Sequence, residues 1–142
     1  MPTRSAKANW RGSIQEGRGN VQFGDFSEPY NFSGRFGDER IGISPEELIA
    51  AAVSSCYNMA LAVRLNNQGL TVEQLDTQTK VTLSTSGLGF KVSRIAITVK
   101  GTIEGITAAD FQKHAEIARD TCPIINALAA VATELKTEFA EA

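Results

Sequence analysis

The sequence predicts an α+β domain, and three observations carry that prediction. Alternating apolar and polar residues mark strands near the start, in the middle and at the end of the chain. Two stretches open with helix-start residues and continue as helix-length runs. The turn residues between the alternating stretches suit antiparallel hairpins, with the helices segregated from them. The predicted order is β-β-(loop)-α-β-β-α-α-β. A chain of 142 residues is one ordinary domain, so residues 1–142 are read as a single domain.

The first strand has Ala6, Ala8, Trp10, Gly12 and Ile14 on one parity and Lys7, Asn9, Arg11 and Ser13 on the other, the pattern of a half-buried strand. A turn at Glu16-Gly17-Arg18-Gly19-Asn20 and a returning strand from Val21 complete a hairpin. Gly24 to Ser44 is rich in Gly, Ser, Asp and Pro and reads as a loop holding one short strand.

Ser44-Pro45-Glu46-Glu47 then opens a helix. Ser44 suits the N-cap, Pro45 the first helical position and Glu47 the acid of a capping box. The run from Leu48 to Val63 is apolar or small on all sides, which predicts a long, central, buried helix, stopped at Gly69. Leu75, Thr77, Thr79, Val81 and Leu83 form a strand that turns at Ser86-Gly87-Leu88-Gly89. The return strand changes apolar phase between Val92 and Ile95, which predicts a bulge. Thr107-Ala108-Ala109-Asp110 starts a second helix, Pro123 breaks it and allows a short third one, and Val131 to Phe139 alternates as the last strand.

Composition narrows the function. There are 14 Lys+Arg against 16 Asp+Glu, a net charge of −2, which weighs against nucleic acid or an anionic membrane as partner. One His and two Cys are too few for a zinc ribbon or a His-rich metal site within one chain. No apolar run follows the basic residues at the start, and Ser54, Ser55, Asn58 and Arg64 interrupt the most apolar stretch. The expectation is therefore a cytoplasmic protein, where cysteines are kept reduced and do not act as structural staples by default.

Several residues carry possible chemistry. Cys56, in the middle of the predicted central helix, reads either as a small core hydrophobe or as a reactive thiol. The polar Ser54, Ser55 and Asn58 beside it suggest a pocket or an interface. Cys122 precedes Pro123 at a helix N-terminus and reads either as a half-buried Cys filling a corner or as a resolving thiol whose pKa that place lowers. The two thiols are 66 residues apart, and the sequence leaves open whether they meet. If they do, the pair reads as redox chemistry. Arg35, bracketed by Phe32 and Phe36, is either a loop Arg or the partner of a thiolate. Glu46 either complements the helix dipole or orients an Arg. Ten positions separate Glu46 from Cys56 along one helix, about 15 Å of rise, so the two cannot touch within that helix. A homodimer with composite sites follows as an expectation. His114, on the second helix, is a surface His or half of a Cys–His pair.

Taken together, Asn31-Phe32-Ser33-Gly34-Arg35-Phe36, then Ser44-Pro45-Glu46-Glu47-Leu48 leading to Ser55-Cys56-Tyr57-Asn58-Met59, then Cys122-Pro123-Ile124, resemble the OsmC/Ohr family, the osmotically inducible protein C and organic hydroperoxide resistance proteins. The placement of Arg35 in the loop just before the central helix is similar to the OsmC branch. The resemblance implies an OsmC-like fold, antiparallel sheets around a long central buried helix, in an intertwined homodimer. It implies a thiol-dependent organic hydroperoxide reductase with no metal, flavin or other cofactor. Cys56 matches the peroxidatic cysteine, Cys122 the resolving one, Arg35 the residue that holds thiolate and peroxide, and Glu46 the carboxylate that fixes Arg35. The expected partners are an organic hydroperoxide and a dihydrolipoyl-type dithiol reductant, with Phe36, Tyr57, Met59 and Ile125 favouring alkyl substrates. A non-enzymatic thiol sensor or binding module on the same fold is the alternative, and an acyl hydrolase using His114 is a third.

Overall fold

A computed structural model describes residues 1–141. The chain divides into two units, Met1–Glu47 and a second that starts at Leu48.

In the first unit, β1 (Lys7–Arg11), β2 (Arg18–Phe23) and β3 (Phe26–Tyr30) form an antiparallel sheet in the order β1-β2-β3. The first strand ends earlier than the alternation predicts, because Gly12 takes φ +95 and turns the chain. The turn therefore spans residues 12–17, and Arg18 to Asn20 belong to β2. Every residue of β1 is exposed, so the predicted half-burial is not met: a three-stranded sheet has no second layer of its own. Trp10 instead covers glycine. Its indole N–H donates to the Gly12 carbonyl at 2.9 Å, and a Cβ on Gly17 would lie 2.7 Å from its ring. Tyr30 packs on the same side, its ring centroid 5.8 Å from that of Trp10, and a Cβ on Gly19 would strike it at 2.5 Å.

The segment expected as loop plus one strand holds β3 and also a short helix, α1 (Phe32–Phe36). Asn31 caps it, its side-chain oxygen accepting from the Gly34 N–H at 2.7 Å. Arg35 thus lies on a helix and not in a loop. After α1 the chain returns beside β3, with the Ile43 N–H donating to the Pro29 carbonyl at 3.0 Å. This leads into Ser44 and the predicted capping box. The Glu47 N–H donates to Ser44 Oγ at 3.2 Å, and the Ser44 N–H donates to Glu47 Oε1 at 3.0 Å.

Helix α2 (Pro45–Asn67) begins there and continues into the second unit. It ends as expected at Gly69, φ +76, where the Leu70 N–H reaches back to the Leu65 carbonyl at 3.1 Å. The expectation of burial on all sides is corrected. Val53, Tyr57, Leu61 and Leu65 form a fully buried stripe at helical spacing, whereas Met59 and Val63 are 63% and 59% exposed. One sheet covers only one face of a helix, and among the described residues Ala51, Ser55, Met59 and Val63 on another face are exposed. By length and a mean hydropathy of 1.5, α2 is also apolar enough to cross a membrane, despite the polar residues that interrupt it.

That sheet is β4 (Val72–Ser86), β5 (Gly89–Ile103) and β6 (Ala132–Glu141), in the order β4-β5-β6. Thr82 pairs with Arg94 and Leu83 with Val92, so Ser93 is the extra residue of a bulge, at the place where the apolar phase changes. β6 runs parallel to β5, which corrects the all-antiparallel expectation. Two helices intervene, α3 (Ala108–Thr121) and α4 (Pro123–Ala127), and carry the chain back to the same end of the sheet. Ile95, Ile97 and Val99 on β5 meet the α2 stripe and Phe111, Ala115 and Ala118 of α3 in one core.

Gly101 on β5 admits the Phe111 ring, since a Cβ there would lie 2.3 Å from it. Gly101→Val is expected to destabilise the protein by about 1–3 kcal/mol through overpacking. Thermal unfolding followed by circular dichroism checks this, and an unchanged midpoint would contradict it.

Candidate functional site

The second unit brings the two cysteines together. Cys56 sits half-buried on α2, one residue before the buried Tyr57. Cys122 is fully buried where α3 ends, and it is the N-cap of α4, with Pro123 at the first helical position as the sequence predicts. Their Sγ atoms are 3.3 Å apart and both thiols are free. A disulfide needs about 2.05 Å, so the pair is in contact but unbonded.

The environment of Cys122 reverses one expectation. Burial pushes its thiol pKa up, and the Cys56 sulfur adds to the rise. The N–H groups of Ile125 and Ile124 at the head of α4 pull the other way and do not prevail. A helix of one turn has a small dipole, whereas a sealed thiolate loses all of its hydration.

The polar residues near Cys56, Ser54, Ser55 and Asn58, are all hydrogen-bonded, and Asn58 lines an open cavity of about 440 Å³ along β4 with Leu75, Thr77 and Thr98. Ser54 Oγ lies 2.8 Å from Thr79 Oγ1, and Thr77 Oγ1 donates to Asn58 Oδ1 at 2.6 Å, so these residues are rungs between α2 and β4. Ser55 donates to the Ala51 carbonyl of its own helix at 2.8 Å. Tyr57 does not line a substrate wall either. It is 0% exposed, and its hydroxyl donates to the Ala115 carbonyl of α3 at 2.8 Å. Ile125 is likewise buried, while Met59 is exposed.

The first unit holds the other two residues. The Arg35 guanidinium donates to Glu46 Oε1 through Nε at 3.1 Å and Nη2 at 2.8 Å, a forked charge-assisted contact. Glu46 is 8% exposed, and the guanidinium carbon stands 5.3 Å from the Phe36 ring centroid, a cation–π contact. Arg40 pairs with Glu47, which leaves Glu46 to Arg35. Burial opposes the charge on Glu47, but the hydrogen bonds from Arg40 and Ser44 outweigh it and hold its pKa below the usual carboxylate range.

His114 engages Arg64, whose Nε donates to its Nδ1 at 3.1 Å. Burial lowers the His114 pKa, and the Arg64 and Lys113 charges lower it further against Asp110. A lone pair given to Arg64 is not directed at a thiol. Among the described residues no group of three or more His, Cys, Asp and Glu side chains is arranged to hold a metal ion. The Tyr57–Ala115 and Arg64–His114 bonds have no local sequence signal, because each depends on how α2 meets α3.

The difference between the thiols is measurable. At neutral pH a limiting amount of iodoacetamide is expected to label Cys56 about tenfold faster than Cys122, since access and thiolate fraction set the rate. Peptide mapping by mass spectrometry reads the ratio, and equal labelling would contradict the burial argument.

Comparison with known proteins places the chain. The family described as OsmC-like protein matches residues 36–138. The protein named peroxiredoxin OsmC of Escherichia coli K12 is 35% identical over 133 residues, 92% of each chain. Among solved structures, an OsmC-like protein of unknown function from Vibrio cholerae superposes with a TM-score of 0.73 at 21% identity, covering 99% of this chain and 100% of that one. An organic hydroperoxide resistance protein from Elizabethkingia anophelis superposes with a TM-score of 0.73 at 21% identity, covering 98% and 99%. These two share the fold; the family match and the 35% identical relative carry the assignment, and the chain belongs to the OsmC/Ohr family.

Proposed function

We propose that this protein is a thiol peroxidase that reduces organic hydroperoxides to alcohols. The observation that carries the reading is the 3.3 Å contact between Cys56 and Cys122. Membership of the family and the name of the 35% identical relative support it.

The chemistry balances with thiols alone. The Cys56 thiolate attacks the terminal peroxide oxygen, the O–O bond breaks, and the substrate leaves as an alcohol after taking a proton. Cys56 is then a sulfenic acid. The Cys122 sulfur displaces its hydroxyl, which leaves as water, and a Cys56–Cys122 disulfide forms. A dihydrolipoyl-type dithiol attacks that disulfide, passes through a mixed disulfide, and leaves both cysteines reduced and itself oxidised. The partly exposed Cys56 takes the peroxidatic role, and the sealed Cys122 takes the resolving one.

Arg35 supplies the positive charge for the thiolate and for the oxygen that becomes negative as the O–O bond breaks. Glu46 holds the Arg35 fork in place. Along α2, Glu46 and Cys56 are separated by ten positions, about 15 Å of helix rise. The working unit is therefore a homodimer, in which the Arg35–Glu46 pair of one protomer serves Cys56 of its partner. On this reading the whole chain acts as one domain, in the cytoplasm, and the apolar Phe36 and Met59 favour alkyl hydroperoxides over hydrogen peroxide.

One equivalent of cumene hydroperoxide tests the reading. Intact mass is expected to fall by two hydrogens in the wild type and to rise by one oxygen in Cys122→Ser. A Cys56→Ser protein that still removes the peroxide would overturn it. Arg35→Met is expected to lower kcat/KM for cumene hydroperoxide by about a hundredfold. The unfolding midpoint should also fall, because the buried Glu46 carboxylate loses its partner, so the rates are compared well below the midpoint of the variant.

A further inference from the structure

We propose that Tyr57 is a positioning residue for the thiol pair: its hydroxyl, bonded to the Ala115 carbonyl, holds α3 at the height on α2 that brings Cys122 against Cys56. The inference deepens the thiol-pair reading above and rests on it.

Tyr57 follows Cys56 directly, so the two side chains leave α2 about 100° apart. One turns into the core while its neighbour stays half-buried. Ala115 lies seven residues before Cys122, close to two helical turns, and Ala115, Ala118 and Cys122 are all buried. Fixing Ala115 on Tyr57 therefore fixes the end of α3 that carries Cys122.

The remaining buried contacts of α3 are apolar, made by Phe111, Ala115 and Ala118. The Phe111 ring in the Gly101 notch seats α3 on β5, whereas the apolar contacts between α3 and α2 are non-directional. A hydrogen bond between the two helices adds a directional fixed point. Among the described residues two side-chain hydrogen bonds join α2 to α3, Arg64 to His114, which is half-buried, and Tyr57 to Ala115, which is fully buried. Water can replace the first when it opens and cannot replace the second.

Electrostatics agrees with the geometry. Burial keeps the Tyr57 hydroxyl protonated far above its ordinary range, so it remains a donor to the Ala115 carbonyl. Disulfide closure shortens the 3.3 Å contact to about 2.05 Å, a move of more than 1 Å. Closure rates depend steeply on how well the reacting atoms are held before that move.

The test separates closure from oxidation. Reduced wild type and Tyr57→Phe are mixed with oxidised glutathione, and timed alkylation with intact mass reads the Cys56–Cys122 disulfide. One glutathione disulfide is reduced to two thiols for each bond formed. Tyr57→Phe is expected to close about fivefold more slowly, the factor that corresponds to one net hydrogen bond of about 1 kcal/mol. In the Cys122→Ser background, sulfenic acid formation by cumene hydroperoxide should change less than about twofold on adding Tyr57→Phe. Leu65→Ala, two turns along α2 from Tyr57, lowers stability more yet should close like the wild type. A 3-fluorotyrosine at position 57 keeps the ring and strengthens the donor, and should close at least as fast as the wild type. Wild-type closure by Tyr57→Phe, equal slowing by Leu65→Ala, or slower closure with fluorotyrosine would each overturn the proposal. Failure of cumene hydroperoxide to oxidise wild-type Cys56 would sink the peroxidase reading instead, and the glutathione result would stand apart from it.

Discussion

The packing of one stripe of α2 governs the second unit. Val53, Tyr57, Leu61 and Leu65 bury completely against the apolar face of β5 and the inner face of α3. Each aliphatic side chain in that stripe contributes about 1.5–3 kcal/mol on burial. The polar rungs from Ser54 to Thr79 and from Asn58 to Thr77 fix the rotation of α2 on the sheet, because a buried polar atom turned away from its partner would be costly. Cys56 lies between those rungs in sequence, so the same rotation leaves its sulfur half-buried and in reach of Cys122. The position of the thiol is a consequence of the core.

The pair is asymmetric in a way that suits two roles. Both sulfurs are on or next to helices, yet they differ in access: Cys122 is sealed and its charged form is penalised by lost hydration. In the proposed cycle a sealed, protonated thiol is spared direct oxidation by substrate and reacts only with the sulfenic acid beside it. In the first unit, the buried Glu46 and the half-exposed Arg35 form the complementary arrangement, a fixed carboxylate and a guanidinium that reaches solvent.

Features with local causes are legible in the sequence. Ser44 and Glu47 form the capping box, Gly69 ends α2 in the left-handed region, Ser93 is the bulge at the phase change, and Cys122 caps α4 ahead of Pro123. Each of these depends on residues a few positions apart. Features that differ from the sequence pattern have the opposite property. The direction of β6 depends on where α3 and α4 deliver the chain, and the exposure of β1 and of Met59 and Val63 depends on how many layers are present to cover them. Short α1 has a weak sequence signal because Gly34 lowers its helix propensity, although Asn31 is a good cap.

By itself, then, the sequence determined which residues could do chemistry: two cysteines, an Arg between aromatics, and a Glu released from capping by its neighbour. Residue type and short-range spacing are enough for that. Tertiary structure decided which of them meet. It set Cys56 against Cys122 across 66 residues and Arg35 against Glu46 across eleven. It turned Tyr57 from a candidate for a substrate wall into a strut between helices, and it raised the Cys122 pKa that helix position alone would lower. Those outcomes depend on burial and on contacts between distant segments, which exist only once the helices have packed on the sheet.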